Sequence, residues 1–100
     1  MQRGGCIYFM TNQNKTTLYL GVTSNLIRRV QEHQNHYYPF SFTAKYNLHL
    51  LVYYELFSHI EEAIFREKQI KKWSRFKKEQ LIATTYPNWQ DLWEKEVVFW

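Results

Sequence analysis

Five residues carry the chemistry this sequence offers: Tyr8, Tyr19, Arg29, His33 and Glu67. A carboxylate on the core side of a helix must pair with a cation or hold a metal, because an uncompensated buried charge is costly. Glu67 has that position. At about 100° per residue, Ile60, Ala63, Ile64 and Ile70 form one apolar stripe, and Glu67 falls in its middle. The spacing leaves two partners open, an arginine reaching in from the preceding helix or a divalent ion. In that preceding helix Leu26, Val30 and Tyr37 share one side, Arg29 and His33 lie along its edge, and Arg28 points away. Arg29 is therefore the arginine nearer the core, either paired or extended along its stem to water. Tyr8 and Tyr19 each sit at the centre of an apolar run, and strand register decides whether they share a face.

The elements that must position these groups are legible from patterning. "CIYFMT" and "TLYLGV", separated by "NQNKT", read as a β-hairpin. Thr23, Ser24 and Asn25 are good caps for a helix over Asn25 to His36, and Pro39 ends it, leaving Tyr37 to Asn47 as a surface loop. "LHLLVYYELF" predicts a third strand, apolar on both faces. Ser58 with Glu61 has the spacing of a capping box ahead of "IEEAIFREKQIKKW", and "RFKKEQLIAT" follows as another helix that Pro87 stops. "WQDLWEKEVVFW" is a short helix and a tail, with Trp89, Leu92 and Trp93 packing back. The order β-β-α-β-α-α predicts an α+β fold, a small three-stranded, mainly antiparallel sheet flanked by helices.

Size and composition bound the rest. A chain of 100 residues with 45% hydrophobic and 22% charged residues fits one globular domain over 1–100, with a core at about 6–92 and a tail at 93–100. Its longest apolar stretch, Leu48 to Tyr54, is too short to cross a bilayer, and "MQRGGCIYF" lacks a signal peptide's apolar segment and cleavage site. The expectation is a cytoplasmic protein without a membrane partner. Cys6 stands alone, which rules out an internal disulfide or a cysteine-based zinc cluster. The net charge is +4, and seven of the 13 basic residues fall between Arg66 and Lys78, interleaved with Trp73 and Phe76. Such a run is either a phosphate-binding surface with stacking groups or a solvated helix face.

The motifs resemble those of the GIY-YIG nucleases. "CIY" at Cys6 to Tyr8 stands where the first tripeptide belongs and "YLG" at Tyr19 to Gly21 where the second does. "GVTSNLIRRVQEH" looks like the family helix carrying Arg29 and His33, and "AIFREKQIKKW" resembles the segment carrying the metal-binding glutamate, here Glu67. The resemblance runs from about Cys6 to Leu92 and is nearest to short stand-alone members related to the N-terminal nuclease domain of the excision-repair endonuclease. Cys6 replaces the first glycine and Leu20 the central isoleucine, and Tyr86 precedes Pro87 where asparagine is usual.

The resemblance implies an endonuclease that hydrolyses DNA phosphodiesters, in repair or processing, with one Mg²⁺ or Mn²⁺ held by Glu67. It implies Tyr8 as general base or water-positioning group with Tyr19 as its hydrogen-bonding neighbour. Because a free phenol has a pKa of about 10, Tyr8 would need help from Lys45, the metal or another cation. Arg29 would clamp the phosphate and His33 donate beside it. Lys71, Lys72, Arg75, Lys77 and Lys78 would track the DNA backbone. The competing expectation is a nucleic-acid-binding module without useful catalysis, acting with a partner repair protein. A packing or oligomerisation scaffold, suggested by Trp89, Trp93 and Trp100, is the third.

Overall fold

A computed structural model of the chain describes residues 4–100, so the first three residues of the predicted leaderless N-terminus lie outside the described residues. Three antiparallel strands form one sheet in the order β2-β1-β3: β1 at Gly5–Thr11, β2 at Leu18–Thr23 and β3 at Leu50–Phe57. The loop between β1 and β2 is organised by Asn12, whose side chain accepts from the Thr16 amide at 2.9 Å and whose carbonyl accepts from Lys15 at 3.0 Å. Every residue of β1 is buried, as expected of a central strand covered on both faces.

The two faces carry separate clusters. Cys6, Tyr8 and Met10 point to one, where α1 (Leu26–Gln34) and α5 (Leu92–Lys95) contribute Leu26, Val30 and Leu92. Ile7 and Phe9 point to the other, beneath α3 (Ile60–Lys71) and α4 (Arg75–Ala83) with Ala63, Ile70 and Ile82. In β3 the run Leu51, Val52, Tyr53 does not alternate. Its register against β1 slips between Phe9 and Met10, so Phe9 faces Tyr53 while Met10 faces Leu51. The extra residue lets Val52 and Tyr53 both join the α3 side while Leu51 joins the other. Packing also continues past the predicted core: Val97, in a short 3₁₀ turn at Val97–Phe99, is fully buried.

Several boundaries differ from the patterning, each for a local reason. The first helix stops at Gln34 because His36 adopts φ 50° and closes it: the Tyr37 amide donates to the Glu32 carbonyl at 2.9 Å and that of His36 to His33 at 3.2 Å. Tyr37 is thereby placed outside the helix and exposed, not on the apolar side with Leu26 and Val30. The expected loop contains a one-turn helix, α2 at Phe42–Lys45, capped by Ser41 and closed by Asn47 at φ 54°. Helix α3 is capped by His59, not Ser58, with Glu62 reaching back to the His59 amide at 3.0 Å. Ile64 is exposed, so the buried stripe of α3 is narrower than expected: Ala63 and Ile70 buried, Ile60 partly so.

Gly5 allows α3 to start against β1, since a Cβ there would lie 2.9 Å from the Ile60 Cα. Gly5→Ala is expected to lower unfolding free energy by about 1–3 kcal/mol, the usual cost of overpacking, read as a lower urea midpoint with unchanged slope.

Candidate active site

The hairpin register settles the relation of the two tyrosines. Tyr8 lies opposite Gly21 and Met10 opposite Tyr19, so Tyr19 is a diagonal neighbour of Tyr8 on the same face. Their ring centres are 6.1 Å apart. A Cβ on Gly21 would come within 2.5 Å of the Tyr8 ring and hydroxyl, and the glycine is what lets Tyr8 lie across β2. β2 then runs into α1 almost without a loop, Thr23 Oγ1 accepting from the Asn25 amide at 3.1 Å and Asn25 capping the Arg28 amide at 3.1 Å. This junction sets the rotation of α1 and directs His33 and Arg29 towards the tyrosines.

The hydroxyl of Tyr8 and Nε2 of His33 are 2.8 Å apart in the interior, and the Tyr19 ring centre is 5.6 Å from that of His33. The other ring nitrogen, Nδ1, is 2.8 Å from Thr43 Oγ1 on α2, and Thr43 in turn lies 3.1 Å from Ser41 Oγ. Burial, then the charge of Arg29, lowers the His33 pKa to about 4, with Glu32 opposing. The imidazole is neutral at physiological pH, so one ring nitrogen donates and the other accepts. Burial, reinforced by Tyr19 and opposed by Arg29, pushes the Tyr8 hydroxyl far above the usual phenol range. Tyr8 therefore holds its proton at rest.

Arg29 is the less exposed arginine, 39% against 75% for Arg28, as helical geometry predicts. Its partner is Glu32 one turn on, at 3.5 Å, and the same carboxylate binds Arg28 at 3.1 Å. Thr23, Asn25, Arg29, Glu32 and Tyr38 line a polar recess of about 140 Å³. Two larger concavities, of about 690 and 730 Å³, lie beside Trp89 and beside Asp91 and touch none of the five candidate residues. Polarity and converging side chains mark the site here, and volume does not.

Glu67 faces the sheet side of α3, only 14% exposed, yet its ion pair is with Lys71 at 3.5 Å, not with an arginine of α1. Among the described residues no hydrogen bond, ion pair or ring contact joins it to the tyrosine cluster. Helix α3 packs across β1 and the edge strand β2, which brings its carboxylate to the layer opposite α1. Among the described residues no three acidic, histidine or cysteine side chains gather to enclose a metal. One carboxylate oxygen donor fits a hydrated Mg²⁺ or Mn²⁺ that completes its shell with waters and substrate phosphate.

The predicted cations divide into free and engaged. Lys71 is tied to Glu67, and Lys77 stacks over Trp73 at 4.2 Å. Arg75 binds Glu79 at 2.8 Å and the carbonyls of Thr16 and Lys15 at 3.0 and 3.2 Å, bracing the hairpin loop. Lys72 is exposed and Lys78 half-buried. Lys45 ends α2 over the Tyr46 ring at 5.4 Å and makes no bond to Tyr8, whose partner is His33. Tyr86 sends its hydroxyl to Glu96 at 3.2 Å. Sequence reasoning missed Thr43, Ser41 and Glu32; a Ser-x-Thr pair in an aperiodic segment gives no periodic signal.

An antiparallel sheet, a helix presenting arginine and histidine to two tyrosines, and a carboxylate on the helix beyond it together define a GIY-YIG catalytic domain. The chain matches that family's sequence profile over residues 4–80 and belongs to the family. It is similar to a UPF0213 protein of Syntrophus aciditrophicus, 38% identical over 76% of this chain and 86% of that relative. A UPF0213 protein of Clostridium perfringens is likewise 38% identical, over 81% of this chain and 85% of its own. The solution structure of a UPF0213 protein from Bacillus halodurans superposes with a TM-score of 0.51 at 29% identity, covering 80% of this chain and 83% of that one. No described helix is long and apolar enough to cross a membrane.

Two outcomes follow from the His33 environment. His33 binds a proton near pH 6.5 when unfolded and near 4 when folded. Its contribution to stability is therefore complete above pH 6.5 and is lost as pH falls towards 4. The wild-type urea midpoint should fall through this window more steeply than that of His33→Gln. Thr43→Val should move the His33 ring ¹⁵N resonances and cost about 1–3 kcal/mol of stability, with Thr43→Ser restoring both.

Proposed function

We propose that this protein is an endonuclease that hydrolyses phosphodiester bonds in DNA, with repair or processing of DNA in the cytoplasm as its setting. The observation that carries the reading is the buried pair of Tyr8 and neutral His33 beside an arginine-bearing polar recess. Hydrolysis requires removal of a proton from water and stabilisation of charge on a five-coordinate phosphate. Tyr19, the half-buried phenol, is the one solvent reaches, whereas Tyr8 is 1% exposed. The attacking water lies against this phenol pair, and its proton leaves inward, Tyr8 accepting it as Tyr8 gives its own to His33 Nε2. Arg29 clamps the phosphate oxygens. The phosphate's negative charge offsets the guanidinium that holds His33 down, so substrate binding itself raises the basicity of His33.

Glu67 would hold the divalent ion, whose chemistry is Lewis-acid stabilisation of the phosphate and of the leaving oxygen. The burial of Glu67 on the sheet side of α3, a helix lying across edge strand β2, supports that role. Lys72, Lys77 and Lys78 supply the phosphate contacts, while Arg75 is a brace and Lys71 is shared with Glu67. A second reading, a binding module that acts with a partner repair protein, is favoured by the counter-ion Glu67 already has and by its lack of any bond to the tyrosine cluster.

With supercoiled plasmid and Mg²⁺ or Mn²⁺, the wild type should produce nicked circles. Arg29→Ala, Glu67→Ala and Tyr8→Phe should each lower the rate by about 10²-fold or more. Equal background in wild type and variants would leave only the binding module. Retention of plasmid should weaken steeply with salt, and Lys72→Ala should lower the slope by about one contact.

A further inference from the structure

The segment joining α1 to β3 carries five large aromatic side chains open to solvent: Tyr37, Tyr38, Phe40, Phe42 and Tyr46. Phe40 is fully exposed, at 101%. The fold gives them little to do, since the segment is held by Thr43, by the Ser41 cap and by backbone bonds at His36 and Asn47. Exposed aromatic surface this concentrated marks a contact face.

Three observations identify the occupant. The face is continuous with the recess: Tyr38 lines it together with Arg29, and the Phe42 ring centre is 6.3 Å from that of Tyr19. Its rings are arranged in preformed pairs, Tyr37 with Tyr38 at 4.9 Å and Phe42 with Tyr46 at 4.8 Å, with Phe40 alone between them. Finally, the sequence contains no aspartate or glutamate between Glu32 and Glu55, while Lys45 stands over Tyr46. An anionic ligand with flat apolar faces fits these features.

We propose that residues 37–46 form a stacking surface for unpaired nucleobases, so that the strand delivered to the Arg29 recess is single-stranded or locally opened. A paired base hides both faces in the duplex, whereas an unpaired one offers them to a side chain such as Phe40. This rests on the nuclease reading of the recess and narrows its substrate.

The test is fluorescence anisotropy of the full chain with a labelled oligonucleotide, single-stranded or annealed into a blunt duplex, at one ionic strength in EDTA. The single strand should bind about tenfold more tightly. Phe40→Ala should weaken single-strand binding about fivefold or more and leave the duplex unchanged, Phe40→Trp should retain it, and Phe40→Leu should lose as much as alanine. Equal affinity for the two forms, or full rescue by leucine, overturns the proposal; leucine rescue would indicate an apolar protein-docking face. Because EDTA suppresses cleavage, the two readings fail separately. A single-strand preference without plasmid nicking retains the surface and loses the nuclease, and nicking unchanged by Phe40→Ala, with no single-strand preference, does the reverse.

Discussion

A phenol and an imidazole sealed against each other, Tyr8 and His33, impose the main constraint on this molecule. Two polar groups in an apolar interior must satisfy one another and their remaining bonding capacity. Tyr8 can lie across β2 only because Gly21 has no side chain. His33 meets it only because Asn25 and Thr23 fix the start of α1, and its second nitrogen requires Thr43. The irregular α1–β3 connection is thus structural at one residue and free at its neighbours, which is why Thr43 is buried while Phe40 projects into solvent.

Electrostatics follow from the same burial. His33 is depressed by its surroundings and by Arg29, while Glu32, held by both arginines, moderates that charge. The cluster rests neutral and becomes more basic when an anion occupies Arg29. A site built this way has its base switched on by the substrate's own charge.

Much of this was legible in the sequence, for reasons that differ between residues. The strands showed themselves through their β-rich runs, and the projection that set Arg29 inward of Arg28 needed only helical geometry. The same projection placed Tyr37 and Ile64 wrongly. For Tyr37 it assumed a helix that His36 had already closed, and for Ile64 it assumed a wider apolar stripe than a helix resting on a sheet requires. The shared face of Tyr8 and Tyr19 depended on register, which arises from cross-strand packing and has no local signature. Thr43 lies where no period operates, and the bulge at Val52 is a property of pairing between distant segments.

The sheet order has a kinetic consequence. β1 lies in the middle, paired on one side with β2 just after it and on the other with β3, where Gly5 meets Phe57. During synthesis the hairpin can zip early, yet its greasiest strand keeps one open edge until more than half of the polypeptide has emerged. The nascent chain passes through a stage in which Ile7 and Phe9 have no cover, and sheltering that interval falls to the ribosome surface or a chaperone rather than to the finished fold.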